Sequence, residues 1–538
     1  MIEKLDRSRV NGFLQAKGTA IVNEKGEEIL LYGWGLGNWL LNEGYMWRAG
    51  KNFDRSRKME ATIRKLAGDA YADTFWKRFR DIYVSQTDIR YMAQLGCNSV
   101  RIPINWRLFL EDKPGLHFKD AGFSLLDRCI DWCEKYKIYA FIDMHGAPGG
   151  QTGTNIDDSA DDFPHLFDDA DSWDKAIGLW TEIARRYAGR WIVGGYDLLN
   201  EPLHTPDRNG DVDYLVPKLA LFYKEACAAI RKVDNRHLLS LEGHHWSTRL
   251  EVFDQKYDEN MLLHFHRYWC VPDISSYQPY LDRAKALDCP LWLGESGENE
   301  LTWFSAMYPL ALSLGIGINI WPWKKIGDEN APLTIQKPEN WDLFIDSVNG
   351  EPLLAPSETR QILDEYLENC KFENCIKHPK VTAAVLRRPN CVVRATDFDA
   401  FPKQLACSGK RTESSPYRLG CGMKIVLDPA PFDPIKAEKS FNCYLLEMET
   451  GEFACYSVYD LHEKDRVSFS LFPLTDTDVL VFQNETLLSK QHFAPTGQPQ
   501  LSKPMFLSAA AESVVKIEVA SGAARFDTLS FHAAKHRC

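Results

Sequence analysis

Tyr196–His204 reads YDLLNEPLH. The run opens strand-like and largely apolar, then stops on Asn200, Glu201 and Pro202. A carboxylate at the end of a buried run is either solvated in a loop or placed there for chemistry. The run alone does not separate the two, but its surroundings do. Comparable β-like runs recur at EILLYGWG, CNSVRIPI, IYAFIDMH, HLLSLEG, NMLLHFH, PLWLGE and GIGINIW. Helical patterns lie between most of them, among them TDIRYMAQLG, FSLLDRCIDWCEKY, DKAIGLWTEIARRYAG and VPKLALFYKEACAAIRKV. With GGYDLLN as the fourth, eight such runs over roughly 350 residues give the rhythm of a (β/α)8 TIM barrel. A doubly wound sheet is the alternative. It would carry a Gly-rich phosphate loop after its first strand, and GWGLGNW does not read as one.

All sixteen tryptophans lie at or before Trp341. SETRQILDEYLENC (357–370) reads as a closing helix with Ser357 as its N-cap. Beyond it come short β runs with turn signals: CVVRATDF, CGMKIVLD, SFNCYLLEME, FACYSVYDL, RVSFSLF, DVLVFQN, SVVKIEVA and FDTLSFH. Their spacing predicts an all-β sandwich of jelly-roll type. The expected domains are therefore a barrel over 1–372 and a β-sandwich over 373–538.

The composition is globular, with 45% hydrophobic and 26% charged residues. The net charge of −12 argues against a nucleic-acid partner. No run of about 18 apolar residues is present, so no membrane span is expected. The opening MIEKLDRSRVNGF lacks the apolar stretch of a signal peptide, which gives a cytoplasmic expectation. The fourteen cysteines lack C-x-x-C pairs, and Cys129 and Cys133 sit four apart in a helical pattern. They read as reduced thiols serving as small apolar residues. No Cys/His cluster has zinc-ligand spacing, and no cofactor is expected.

In a TIM barrel the chemistry gathers where the strands end. The second run leads into Arg101, Asn105 and Trp106, and the third ends in Asp143, Met144 and His145. The fourth ends in Asn200 and Glu201. The sixth carries His264, His266 and Tyr268 at a spacing of two, on one face. The seventh ends in Glu295 and the eighth in Trp321-Pro322-Trp323. Two carboxyls amid aromatics point to sugars, because rings stack on C–H faces and paired carboxyls serve as acid and nucleophile. Glu242, Glu298 and Glu300 read as structural or solvated. Trp321 and Trp323 alternate, so one of them faces the site and the other packs.

These motifs, in this order, resemble glycoside hydrolase family 5. The resemblance covers the first roughly 350 residues and implies a TIM barrel with catalytic glutamates on the fourth and seventh strands. LLNEP would carry Glu201 as acid/base, with Asn200 beside it for the sugar 2-hydroxyl. LWLGESG would carry Glu295 as nucleophile. NSVRIPINW supplies Arg101, DMHGAPGGQ supplies His145, HFHRY supplies His266 and Tyr268, and IWPWKK supplies Trp321.

GLGNWLLNEGYMW and HGAPGGQTG resemble the exo-β-1,3-glucanase branch, which adds Glu43 and Trp39 to the substrate-binding residues. That branch has an aspartate where Asn155 stands here, with Asp157 and Asp158 following. The insertion around Asn42–Phe75 also departs from the branch and is expected to wall one side of the cleft. The resemblance implies a retaining exo-acting β-glycosidase on short oligosaccharides or glycosides. The alternatives are an endo-β-glucanase or mannanase, an exo-β-mannosidase, and a non-catalytic sugar-binding protein. The second half resembles carbohydrate-binding jelly rolls, with Tyr417, Tyr444, Tyr456 and Tyr459 as candidate sugar platforms. Its other expected role is a docked domain that helps shape the cleft.

Overall fold

The computed structural model describes residues 2–206, 210–350, 353–399, 406–411, 418, 420–428 and 443–534. Eight parallel strands close into a barrel: β1 (Tyr32–Gly35), β2 (Ser99–Asn105), β3 (Tyr139–Gly146), β4 (Val193–Asp197), β5 (Leu238–Glu242), β6 (Met261–His266), β7 (Leu291–Glu295) and β8 (Gly317–Ile320). Closure comes from β8 pairing β1, with Ile318 opposite Tyr32 and Ile320 opposite Trp34. Every residue of these strands is buried, as expected of a parallel sheet covered on both faces.

The surrounding helices are amphipathic. In Asp120–Tyr136 the buried positions are Phe123, Leu126, Cys129, Ile130 and Cys133, one stripe at helical spacing. That places the two cysteines in the core, and each cysteine among the described residues is a free thiol. Between β5 and β6 the only helix is the four-residue turn His244–Ser247. Strand β4 also ends earlier than its apolar run suggests, at Asp197. Leu198 then donates to Ser240 O and Asn200 to Met144 O, so the chain still follows its neighbours as it rises to Glu201.

The Asn42–Phe75 segment is anchored by aromatic packing. Trp47 lies at the centre of Phe53, Phe75, Trp76, Phe79, Trp341 and Tyr366. The closing helix spans Pro356–Asn369. Its cap is not Ser357: Pro356 takes the first helical position, and Glu358 accepts the Ala355 N–H at 2.8 Å.

The C-terminal region forms two antiparallel sheets. Cys391–Arg394, Lys424–Leu427, Tyr444–Glu449, Arg466–Pro473 and Ala523–His532 belong to the larger, and Phe453–Leu461, Thr477–Gln483, Thr486–Phe493 and Ala510–Ser521 form the smaller. Ile376–Lys377 still pairs with Leu333–Ile335 on the barrel side. The first strand of the sheets begins at Cys391, later than the expected boundary at 372. The helix Leu301–Ser313 is apolar all round because it is covered on both sides. Ser305 Oγ donates to Val392 O at 2.7 Å, and Arg387 Nε donates to Ser305 O at 2.6 Å. No described helix is long and apolar enough to cross a membrane.

Candidate active site

Glu201 is delivered by a strained turn. Its φ is +42° and that of Leu203 is +58°, left-handed values that cost a non-glycine residue of order 1–3 kcal/mol. The loop after β3 holds the turn in place. Gln151 Nε2 donates to Asn200 O at 2.9 Å, Thr152 Oγ1 to Glu201 O at 2.8 Å, and Leu203 N to Gln151 O at 2.9 Å. Glu242, at the end of β5, accepts the Glu201 N–H at 2.7 Å. Pro202 offers no N–H that would need a partner here.

Arg101 is the hub beneath the cleft and is fully buried. Its Nη1 donates to Glu295 Oε2 at 2.6 Å, its Nε to Asp197 Oδ2 at 2.8 Å, and its Nη2 to Asn200 Oδ1 at 2.8 Å and Glu242 Oε1 at 3.0 Å. Asp143 Oδ2 lies 3.1 Å from Nη2. One guanidinium thus ties the ends of β3, β4, β5 and β7. Tyr268 donates to the other Glu295 oxygen at 2.7 Å.

The two glutamates come together. A carboxylate oxygen of Glu201, one of Glu295 and a nitrogen of His266 all lie within 4.8 Å of one another. Their surroundings push them apart in acidity. Burial raises the pKa of Glu201, and the nearby Glu295 and Glu242 add to the rise against His266. Burial acts on Glu295 in the same sense, but His266, Arg101, His145 and the Tyr268 hydroxyl outweigh it and hold the carboxyl below its ordinary value. The pair is therefore poised with Glu201 as the acid and Glu295 as the carboxylate.

Around them lies a cleft of about 480 Å³, lined among others by Glu43, Tyr45, His145, Asn155, Trp246, Trp269, Glu298 and Trp321. Trp321 donates to Tyr45 Oη at 2.7 Å and stacks parallel to His145, 5.3 Å between centroids. Gly37 makes room for that indole, since a Cβ there would lie 2.6 Å from it. Trp323 faces away and donates to Asp88 at 2.9 Å. Burial opposes charge on His145, but Asp143, 2.8 Å from Nδ1, raises its pKa to about 9. Burial pushes Glu43 up to about 8, aided by Glu295, Glu298 and Glu201 and opposed by His145.

The sequence-derived residues fall into two groups. Glu201, Glu295, His145, His266, Tyr268, Trp321 and Glu43 line the cleft. Arg101 and Asn200 lie fully buried under its floor, where Arg101 binds Asn200 Oδ1 at 2.8 Å and Asn200 Nδ2 lies 3.3 Å from His145 Nε2. Trp39 belongs to neither group, which corrects its expected substrate role. Its indole is fully buried and donates to Arg80 O at 2.8 Å, within the wall of the fold. Asn155 does face the cleft, whereas Asp157 and Asp158 are spent on structure. Asp157 accepts the N–H groups of Thr152, Gly153 and Ser159, and Asp158 accepts from Arg57 and Asn105.

Sequence reasoning missed Glu298, which lines the cleft and binds Lys325 Nζ at 2.7 Å, and the rim residues Trp246 and Trp269. It also missed Asp197 as a partner of Arg101. Every lining residue of the cleft belongs to the barrel, so the described part of the sandwich does not shape it. In the sandwich, Tyr456 is buried with its hydroxyl on Ala395 O and Tyr459 is buried; Tyr417 lies outside the described residues.

Asp213, His244 and His245 form a further group close enough to hold a cation, and His245 Nε2 already meets Asp213 Oδ1 at 2.5 Å. Glu201, Glu242, Glu295, His264 and His266 are satisfied by one another and by Arg101.

Residues 59–325 match the cellulase family, glycosyl hydrolase family 5. The barrel domain belongs to glycosyl hydrolase family 5. A β-xylosidase of Phanerodontia chrysosporium is 31% identical over 272 residues, which cover 50% of this chain and 54% of that protein. A glucan 1,3-β-glucosidase of Candida oleophila is 26% identical over 255 residues, 43% of this chain and 56% of that protein. The chain spans about half the length of the curated relatives it matches. A solved endogalactoceramidase covers 96% of this chain at 15% identity with a TM-score of 0.47.

Proposed function

We propose that the chain is a retaining, exo-acting β-glycosidase that hydrolyses β-glucosidic bonds of short oligosaccharides or glycosides. The observation that carries the reading is the Glu201–Glu295 pair, with oxygens within 4.8 Å and opposite acidity shifts. Retaining enzymes place their carboxyls about 5–5.5 Å apart, and inverting ones about 6.5–9.5 Å apart to admit a water.

In the first step Glu295 attacks the anomeric carbon and forms a glycosyl ester while the glycosidic C–O bond breaks. Glu201 gives its proton to the departing oxygen. In the second step water attacks the ester carbon, Glu201 takes the water's proton, and Glu295 leaves as carboxylate. Arg101 and Tyr268 keep Glu295 ionised and aimed. Esterification removes the Glu295 charge, so the acidity of Glu201 rises at the point where it must act as base.

Exo action is supported by the Asn42–Phe75 segment, which contributes Glu43 and Tyr45 to one side of the cleft. Glu43 and Tyr45 stand on the same cleft as Glu298, whose partner Lys325 also binds Asp328 at 3.2 Å. A cleft of about 480 Å³ falls in the range of small-molecule sites, about 300–1,000 Å³. Names among the relatives fit both modes, since Endoglucanase C of Acetivibrio thermocellus is 28% identical over 198 residues. A panel of aryl β-glycosides and polymers tests the choice. Turnover of aryl β-glucosides with single sugars released from oligosaccharides is expected. Turnover of β-mannosides alone would overturn the sugar, and random internal cleavage would overturn exo action.

A further inference from the structure

Behind Glu201 runs a chain of hydrogen bonds that the two-step mechanism does not use. His266 Nδ1 lies 2.7 Å from Glu201 Oε1, and its Nε2 lies 3.0 Å from His264 Nε2. His264 Nδ1 faces Ser240 Oγ at 2.9 Å, Asp197 Oδ1 at 3.1 Å and Glu242 Oε1 at 3.4 Å. We propose that His264 is a positioning residue that keeps a proton on the Glu201–His266 pair and so holds Glu201 ready as the acid. The inference rests on the reading of Glu201 as proton donor.

The direction of each bond can be worked out from its far end. Burial disfavours charge on Asp197, yet His264 and Arg101 hold its carboxyl well below the ordinary range. A carboxylate only accepts, so His264 Nδ1 carries the N–H. The neutral ring then presents a lone pair at Nε2. Two ring nitrogens 3.0 Å apart need one proton between them, so His266 supplies it from Nε2.

His266 Nδ1 then shares one proton with Glu201. Either neutral His266 accepts from a protonated Glu201, or imidazolium donates to a carboxylate. Both arrangements contain the same number of protons. A charged His264 would leave that link with one proton as well.

When Glu201 protonates the glycosidic oxygen, the link loses its proton and the His266 lone pair faces a carboxylate. The proton that Glu201 takes from the attacking water in the second step restores the link, and His264 Nδ1 keeps its N–H on Asp197 throughout.

Groups from every neighbouring strand bear on the chain. Arg101 stands on β2, Asp143 and His145 on β3, Asp197 on β4, Glu242 on β5 and Glu295 on β7, 3.9 Å from His266 Nδ1. The fold reserves space for the contact. A Cβ at Gly294 would lie 2.0 Å from His264 Nε2, and Trp292 packs on the His264 ring at 4.8 Å.

The test compares His264→Asn with His264→Gln, because glutamine places an oxygen acceptor near the Nε2 position and asparagine does not. In His264→Asn the alkaline limb of kcat/KM should move to lower pH while the acid limb stays. Aryl glucosides with poor leaving groups should lose about ten- to a hundredfold in kcat, and 2,4-dinitrophenyl glucosides less than threefold, as befits a weakened general acid. His264→Gln should recover most of the loss. Equal losses on both substrates with an unmoved alkaline limb would overturn the proposal.

Should His264→Asn fail to fold, Ser240→Ala decides. Removing the Oγ that lies 2.9 Å from His264 Nδ1 loosens that ring, so the alkaline limb of kcat/KM should move the same way as in His264→Asn by a smaller amount, and an unmoved limb would overturn the proposal. Glu201→Ala serves as control: unchanged rates on poor leaving groups would remove the reading of Glu201 itself, whereas the expected loss there leaves the His264 result to stand alone.

Discussion

A carboxylate oxygen of Glu201 lies within 4.8 Å of one from Glu295, and their surroundings shift the two carboxyls in opposite directions, Glu201 up and Glu295 down. Their proximity gives a bell-shaped dependence of kcat/KM on pH. Glu295 must be ionised, so its lowered pKa sets an acid limb below its ordinary value of 4.5. Glu201 must be protonated, so its raised pKa sets an alkaline limb above 4.5. Initial rates across pH with an aryl β-glucoside should show both limbs.

Glu201→Gln cannot release a proton, and it should cost about 10²–10⁴ in kcat on poor leaving groups. Glu295→Gln removes the nucleophile and should abolish turnover even on dinitrophenyl glycosides. Azide should rescue Glu201→Ala through a glycosyl azide of retained configuration, and an inverted azide would contradict the roles given to both residues.

Tyr268→Phe deletes a hydroxyl that donates to Glu295 Oε1 at 2.7 Å. Hydrogen bonds to charged groups are worth about 1.5–3 kcal/mol, which is roughly one to two pH units. Losing the donor raises the pKa of Glu295, so the acid limb should move to higher pH by about that much. The alkaline limb should stay in place.

Arg101→Met strands Asp197, Glu242 and Glu295 without their shared cation. Breaking one partner of a buried ionic network costs about 3–5 kcal/mol, and thermal unfolding should report a lowered Tm.

Glu43, with a pKa near 8, carries a proton at neutral pH. KM should therefore rise as the pH passes through about 8, and Glu43→Gln, which stays neutral, should flatten that rise. Trp39→Phe should leave KM unchanged because that ring is walled off from the cleft.

Much of the site was legible because its residues stand at strand ends, and strand ends carry a period-two signature. The spacing in HFHRY puts His264, His266 and Tyr268 on one face, and LLNEP and LWLGESG mark both glutamates. Glu242 looked like an ordinary strand end in LEGHHW. Only the β5–β6 register, which sets Glu242 opposite His264, turns it inward to Arg101.

Trp39 misled for the opposite reason. Motif position gave it a neighbour in the site, but packing sent the indole into the fold wall, and side-chain direction in an irregular loop has no period to read. The contact between His264 and His266 also needed three dimensions. Spacing put both rings on one face, but the 3.0 Å Nε2–Nε2 approach depends on the space left at Gly294 of the adjoining strand.

The central claim is that Glu295 and Glu201 work by double displacement. Proton NMR of the first product anomer from an aryl β-glucoside, recorded before mutarotation, tests it most directly. The expected first product is the β-anomer, and an α-anomer appearing first would contradict the claim.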